Sequence, residues 1–331
     1  MRQRLSPDEY SNGILTGDRI ILSRAITIIE SQLREDRELS RIILNNILPE
    51  TGKSLRIGIT GVPGVGKSTF IETLGTYITG KGKKLAVLTI DPSSKKTGGS
   101  ILGDKTRMEK LSHNPKAFIR PSASNLSLGG VAQNTREAML LCEAAGFDVI
   151  IIETVGVGQS ETIVKGMTDF FLLLMLAGAG DELQGIKKGI MEMADTIAIN
   201  KADGTNKAMA DRAVQEYSNA LHLFSKPESG FTPKVVPCSA IANTGIDVIW
   251  RIILSHREHS LGNGFFHKNR QSQNIEWMYD SIKQTLQNRF FESDAVARNI
   301  AEVEKSVSDG KELPLHAAER LLNIFLHEEE E

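Results

Sequence analysis

The chain has 331 residues, 40% hydrophobic and 24% charged, with 39 Lys and Arg against 41 Asp and Glu for a formal net charge of −2. That length suits one large domain or two small ones, the composition excludes a disordered chain, and the charge balance argues against a basic nucleic-acid footprint. Two widely separated cysteines, Cys142 and Cys238, lack metal-type spacing and exclude both a disulfide scaffold and a Cys-rich zinc site. The longest unbroken apolar run, Phe170 to Ala177, is too short for a membrane span, and the first residues lack the apolar core of a signal peptide. A cytoplasmic protein is expected.

Residues 1–50 read as a helical extension. Ser6-Pro7-Asp8-Glu9 is a helix start, with Ser as cap and Pro in the first turn. Ile21, Leu22, Ala25, Ile28, Ile29 and Leu33 recur at helical spacing, predicting a helix from Arg19 to Leu33. Leu39 to Leu48 repeats the pattern before Pro49, and this apolar face is expected to pack on the chain's own core.

The rhythm changes over residues 51–262. Short apolar runs occur at Leu55–Thr60, Leu85–Ile90, Ala117–Ile119, Val149–Ile152, Phe170–Leu176, Thr196–Ile199 and Lys234–Val236. They do not alternate with polar residues, as expected of strands buried on both faces. Helical stretches at Lys67–Ile78, Val131–Ala145, Gly185–Met193 and Asn206–Phe224 lie between several of them. The expected fold is therefore α/β, a doubly wound and mostly parallel sheet whose ligand sits at the carboxyl ends of the strands. Residues 263–331 carry only helical stripes: Ile275, Met278, Ile282, Leu286 and Phe290, then Val296, Ile300 and Val303, then Leu315, Ala318, Leu321, Leu322 and Phe325. Three short helices on a Gly262-Asn263-Gly264 linker bury little alone, so this arm is expected to pack on a second copy of the chain.

Chemistry is carried first by Gly61-Val62-Pro63-Gly64-Val65-Gly66-Lys67-Ser68, followed by Thr69. It fits the P-loop pattern between a buried strand and a helix. Small residues let backbone N–H groups turn around phosphate oxygens at a positive helix end. Lys67 reaches the β- and γ-phosphates, and Ser68 ligates Mg²⁺. At another strand end stands Asn200-Lys201-Ala202-Asp203. The Asp203 carboxylate can accept from N1–H and the exocyclic amine of guanine, whereas adenine would leave it unpaired. Asn200 is expected to brace the loop and Lys201 to lie over the base. Ser239 and Ala240 follow the last strand, and the Ala240 amide suits the guanine oxygen.

Glu153-Thr154-Val155-Gly156 ends a further strand, placing Glu153 to hold Mg²⁺ through water and Gly156 close to the γ-phosphate. The following Val157–Glu161 stretch suits a segment that responds to the nucleotide. Asp91 and Asp104 flank a polar loop and are candidate Mg²⁺ ligands, the latter also a candidate helix cap. Lys67, Asp91 and Glu153 are the candidate catalytic residues.

Together these motifs resemble the MeaB/ArgK-type branch of the metallochaperone P-loop GTPases. The resemblance rests on Gly61–Thr69, on Asp91–Ser94 with Gly98–Asp104, on Arg120-Pro121-Ser122, on Glu153–Glu161 and on Asn200–Asp203, and it spans nearly the whole chain. It implies a Mg²⁺-dependent GTPase that chaperones adenosylcobalamin-dependent methylmalonyl-CoA mutase, gating cofactor loading and reactivation. It also implies a homodimer joined through the C-terminal arm, and a relay segment from Gly178 to about Asp195 that includes Lys187 and Lys188. The alternatives are a metal-insertion GTPase of the urease or hydrogenase maturation kind, which would need a Cys and His relay absent here, a chaperone of a related isobutyryl-type mutase, and an ATP-dependent kinase, against which Asp203 argues. No membrane or nucleic-acid partner is expected.

Overall fold

The computed structural model describes residues 4–90, 108–121, 128–154, 160–178 and 188–328. Seven strands form a single sheet: β1 (Leu55–Gly61), β2 (Leu85–Ile90), β3 (Ala117–Arg120), β4 (Val149–Thr154), β5 (Phe170–Leu176), β6 (Thr196–Asn200) and β7 (Lys234–Pro237). Their order is β3-β2-β4-β1-β5-β6-β7, and every pairing is parallel. Each predicted strand is present, most extended by a residue or two. The central strands β1, β2, β4 and β6 are buried at every position, which is why their sequences run apolar without alternating.

Since all strands run one way, their carboxyl ends share one edge. Gly61, Glu153, Thr154, Asn200 and Pro237 all stand there. Helix α4 (Lys67–Gly80) follows β1, and the later helices in chain order are α5 (Glu109–Ser112), α6 (Leu128–Ala144), α7 (Ser160–Lys165), α8 (Lys188–Met193), α9 (Lys207–Leu221) and α10 (Ile246–Gly262). One face of the sheet packs Phe70, Ile71 and Leu74 of α4 with Ile249, Trp250 and Ile253 of α10.

The other face is covered by α6 and by the N-terminal helices α1 (Pro7–Leu15), α2 (Arg19–Ile29) and α3 (Arg34–Ile47). Their apolar sides join the chain's own core: Tyr10, Ile14, Leu22, Ile26, Ile43 and Ile47 cluster with Leu141, Ile150 and Ile152. The Ser6 hydroxyl accepts from the Glu9 amide at 3.3 Å, and the Ser6 amide donates to Glu9 Oε2 at 2.8 Å, a reciprocal cap. The second helix is shorter than its sequence stripe suggests. It ends at Ile29, and Leu33, 60% exposed, instead precedes α3. The cause is polar: Ser31 Oγ donates to the buried Asp36 carboxylate at 2.6 Å, which also takes Arg4 Nε at 2.7 Å, so the chain turns.

After α10 the chain makes a tight turn rather than an open linker. Asn263 Nδ2 donates to Ser229 O at 2.8 Å, its Oδ1 accepts from the Phe265 amide at 3.0 Å, and Gly264 adopts φ +78°. A continuous 28-residue helix, α11 (Phe265–Glu292), then replaces the first of the three short helices expected. The chain divides into two compact units, one up to Gln273 and one from Asn274 onward. In the second, α12 (Asp294–Ser308) and α13 (Pro314–Glu328) bury Val296, Val303 and Ala317, and Phe290 meets Phe325 edge to face with centroids 5.5 Å apart. Ile275, Met278, Ile282, Leu286 and Leu322 remain about half exposed.

Candidate nucleotide site

The loop between β1 and α4 is shaped by close approach. A Cβ on Gly61 would stand 2.5 Å from the Leu174 carbonyl of β5, so only glycine lets β1 end there. Gly66, at φ +90°, opens α4 in a conformation that side chains resist. Val65 between them is fully buried, which pins the loop to the core while Pro63 and Gly64 stay outside.

Lys67, the first residue of α4, turns back so that its ammonium donates to Gly61 O at 2.8 Å. Burial pushes its pKa below that of an ordinary lysine, while the Glu153 and Glu161 carboxylates pull it back up. Ser68 Oγ stands 3.4 Å from Glu153 Oε1, so the P-loop hydroxyl and the buried carboxylate ending β4 face each other. Two hard oxygen donors from separate elements suit Mg²⁺. Thr154 Oγ1 donates to Thr60 Oγ1 at 2.8 Å, which locks the ends of β4 and β1 together. Asp91, Asp104 and Gly156, the other residues expected at the metal and γ-phosphate, lie outside the described residues. Among the described residues, no group of three or more His, Cys, Asp or Glu is gathered to hold a metal.

The loop after β6 meets the P-loop directly. Asn200 Nδ2 donates to Val65 O at 2.8 Å, and Lys201 Nζ donates to Gly64 O at 2.8 Å. Lys201 takes φ +60° to achieve this, an uncommon conformation for a side-chain-bearing residue. The Ser239 hydroxyl donates to Asp203 Oδ2 and accepts from the Ala242 amide at 3.0 Å, so the loop after β7 orients the Asp203 carboxylate. The Ala240 amide donates to Asn200 Oδ1 at 3.2 Å. The group expected to meet the guanine oxygen thus already has a protein partner that it would have to share. Thr73 of α4 donates to Ala240 O at 3.0 Å, tying the loop after β7 to the P-loop helix as well.

The geometry therefore joins four separated sequence segments: 61–69, 153–154, 200–203 and 239–240. It adds one residue that motif reading did not single out as a site residue. Glu161, on α7, is 3% exposed and close enough to Lys67 to favour its charged form. The signal available in the sequence was its place in the Glu153–Glu161 segment, but only packing reveals which way the carboxylate faces.

The sequence profile of the methylmalonyl Co-A mutase-associated GTPase MeaB family matches residues 22–295. The chain belongs to this family. It is 48% identical over 278 residues to GTPase ArgK of Escherichia coli, covering 84% of each chain. To the mouse mitochondrial methylmalonic aciduria type A homolog it is 42% identical over 328 residues, covering 96% of this chain and 79% of that one. A crystal structure described as LAO/AO transport system kinase superposes with a TM-score of 0.76 at 36% identity, covering 98% of this chain and 99% of that one. The protein is accordingly a P-loop GTPase, with the α/β sheet read from its apolar runs. Among the described residues, no helix is long and apolar enough to cross a membrane.

Proposed function

We propose that this GTPase is a Mg²⁺-dependent chaperone of adenosylcobalamin-dependent methylmalonyl-CoA mutase, in which GTP binding and hydrolysis gate cofactor loading and reactivation. The chemistry is supported by the convergence of Lys67, Ser68, Glu153, Asn200 and Asp203 on the carboxyl edge of one parallel sheet. The partner is supported by the family to which the chain belongs and by the description of the mouse relative.

In this reading, Asp203 accepts from N1–H and the exocyclic amine of guanine, oriented by the Ser239 hydroxyl. Lys201, anchored on Gly64 O, lies over the base, and Asn200 keeps the base loop and phosphate loop in register. The Lys67 ammonium leaves the Gly61 carbonyl for the β- and γ-phosphates, where it and the P-loop amides neutralise charge as water attacks in line. Ser68 and Glu153, with Asp91 and Asp104 as further candidates, hold Mg²⁺, which supplies additional neutralisation of phosphate charge when bound. No glutamine follows Gly156 in the usual water-orienting position. A slow intrinsic rate completed by the partner follows.

Residues 1–50 serve as the extension, 51–262 as the GTPase domain and 263–331 as the arm of a cytoplasmic homodimer. The half-exposed stripe of Ile275, Met278, Ile282 and Leu286 supports that role for the arm. The test is reconstitution of apo-mutase with adenosylcobalamin in the presence of this protein, with GTP or its non-hydrolysable β,γ-imido analogue. Loading that needs hydrolysable GTP supports the proposal. Loading indifferent to nucleotide and to this protein contradicts it.

A further inference from the structure

At the opposite edge of the sheet from the P-loop lies a network of buried charge that the nucleotide chemistry does not use. Asp169, just before β5, accepts from the Arg56 amide at 2.8 Å and from Arg270 Nε and Nη2, each at 2.7 Å. Arg270 also donates to Gly52 O at 2.7 Å and to Ser54 O at 2.6 Å, and its guanidinium lies 4.4 Å from the Phe266 ring centroid. Three residues later on α11, Gln273 Nε2 donates to Thr168 O at 2.9 Å and reaches Lys165 O at 3.4 Å. Phe266, Arg270 and Gln273 fall at i, i+4 and i+7, one face of a helix, and all belong to the first compact unit.

What this face grips is the end of α7. Lys165 closes that helix, and Thr168 stands on the turn that follows it. The helix is only six residues long, and its first turn carries the buried Glu161. It starts directly after the segment that leaves Glu153, the carboxylate facing Ser68. It has no slack sideways either: a Cβ on Gly58 of β1 would stand 2.7 Å from Val164 Cγ1. A short helix packed this closely on the strand that leads into the P-loop transmits strain to it.

We propose that Gln273 and Arg270 are positioning residues for nucleotide binding: by holding the end of α7 and Asp169, they seat the helix that carries the buried Glu161 and packs on β1, the strand leading into the P-loop, so that nucleotide binding and the seating of residues 265–273 favour each other. This inference requires the GTPase activity and not the mutase reading. A partner that levered the start of α11 away would thereby alter nucleotide affinity, and the coupling is reciprocal by thermodynamic necessity.

The experiment is amide hydrogen exchange on the full chain, read in peptides covering residues 266–276, with and without Mg²⁺ and the β,γ-imido analogue of GTP. Exchange there slows by about fivefold or more when the analogue binds, the lower end of ordinary coupling between sites. Unchanged or faster exchange in the unsubstituted protein overturns the proposal without any variant. Gln273→Met, which keeps the shape but not the amide, and Arg270→Lys, which cannot span both Asp169 oxygens and two carbonyls, each abolish the slowing and weaken analogue binding by a similar factor. Val303→Ala in the second compact unit serves as the control for mere destabilisation. It lowers the thermal midpoint and leaves the slowing intact. Slowing that persists at saturating analogue in Gln273→Met and Arg270→Lys contradicts the assignment.

Discussion

Asn200 Nδ2 donates to the carbonyl of Val65 at 2.8 Å, joining the loop after β6 to the loop between β1 and α4 across 135 residues of sequence. The same side chain accepts from the Ala240 amide through Oδ1, so one buried amide group holds three loops in place. Truncation by Asn200→Ala leaves a buried carbonyl and a buried N–H without that partner, at a cost of about 1–3 kcal/mol for each unsatisfied group. GDP and GTP affinity, measured by titration calorimetry, should each fall by about tenfold or more. Unchanged affinity would mean that the loops keep their register without Asn200.

Asp203 should decide which base is bound. In Asp203→Asn the side chain offers an NH₂ donor where the carboxylate accepted, so it repels the guanine amine and suits a 2-oxo group. GTP affinity should fall by about 100-fold or more, within the range that a mismatched buried polar pair supplies. Xanthosine triphosphate should bind the variant better than GTP does. Equal loss of both nucleotides would remove Asp203 from base recognition.

Two glycines of similar appearance in the sequence should behave oppositely. A Cβ on Gly58 would press on Val164 and on Phe171, at 2.7 and 2.8 Å, so Gly58→Ala should destabilise by about 1–3 kcal/mol. Gly80 closes α4 with nothing within 4 Å of an added Cβ, and Gly80→Ala should be neutral or stabilise by up to about 1 kcal/mol. Thermal midpoints of both variants check the contrast.

Stability should also depend on Glu137, whose carboxyl is pushed up to about 6 by burial despite a hydrogen bond from Gln133. The folded pKa is raised above the unfolded value, so the folded state holds the proton more tightly between about pH 4.5 and 6. This group's contribution is therefore fully favourable at low pH, is lost as pH rises through that window, and stays lost above it. The loss is at most about 2 kcal/mol, reduced by the solvent that the side chain still meets. Glu137→Gln should raise the thermal midpoint at pH 8 more than at pH 4.5. An equal effect at both pH values would contradict this account.

The strands and the nucleotide motifs were legible because their signals are local. Leu55–Gly61 or Val149–Thr154 must be apolar throughout to be buried on both faces, and a P-loop must spell its own backbone geometry. The end of α2 was not legible. An apolar residue at helical spacing, Leu33, outweighed the turn that Ser31 and Asp36 make, and that turn depends on Arg4 from another segment. The charged network at the far edge was equally hidden. Arg56 pairs with Glu143 across 87 residues and Arg270 with Asp169 across 101, separations at which no periodicity links the partners. Glu161 lies in the Glu153–Glu161 segment, yet its burial comes from long-range packing of α7. Motifs name the chemistry, and long-range packing places the groups that tune it.

Hydrolysis at Lys67 is proposed to be completed by a cobalamin-dependent mutase. Phosphate release from GTP by the full chain, with and without the methylmalonyl-CoA mutase of the same organism and with Lys67→Ala as the blank, tests it most directly. Release should be slow for the protein alone, stimulated by the mutase, and absent in the variant. Fast release that the mutase leaves unchanged would contradict it.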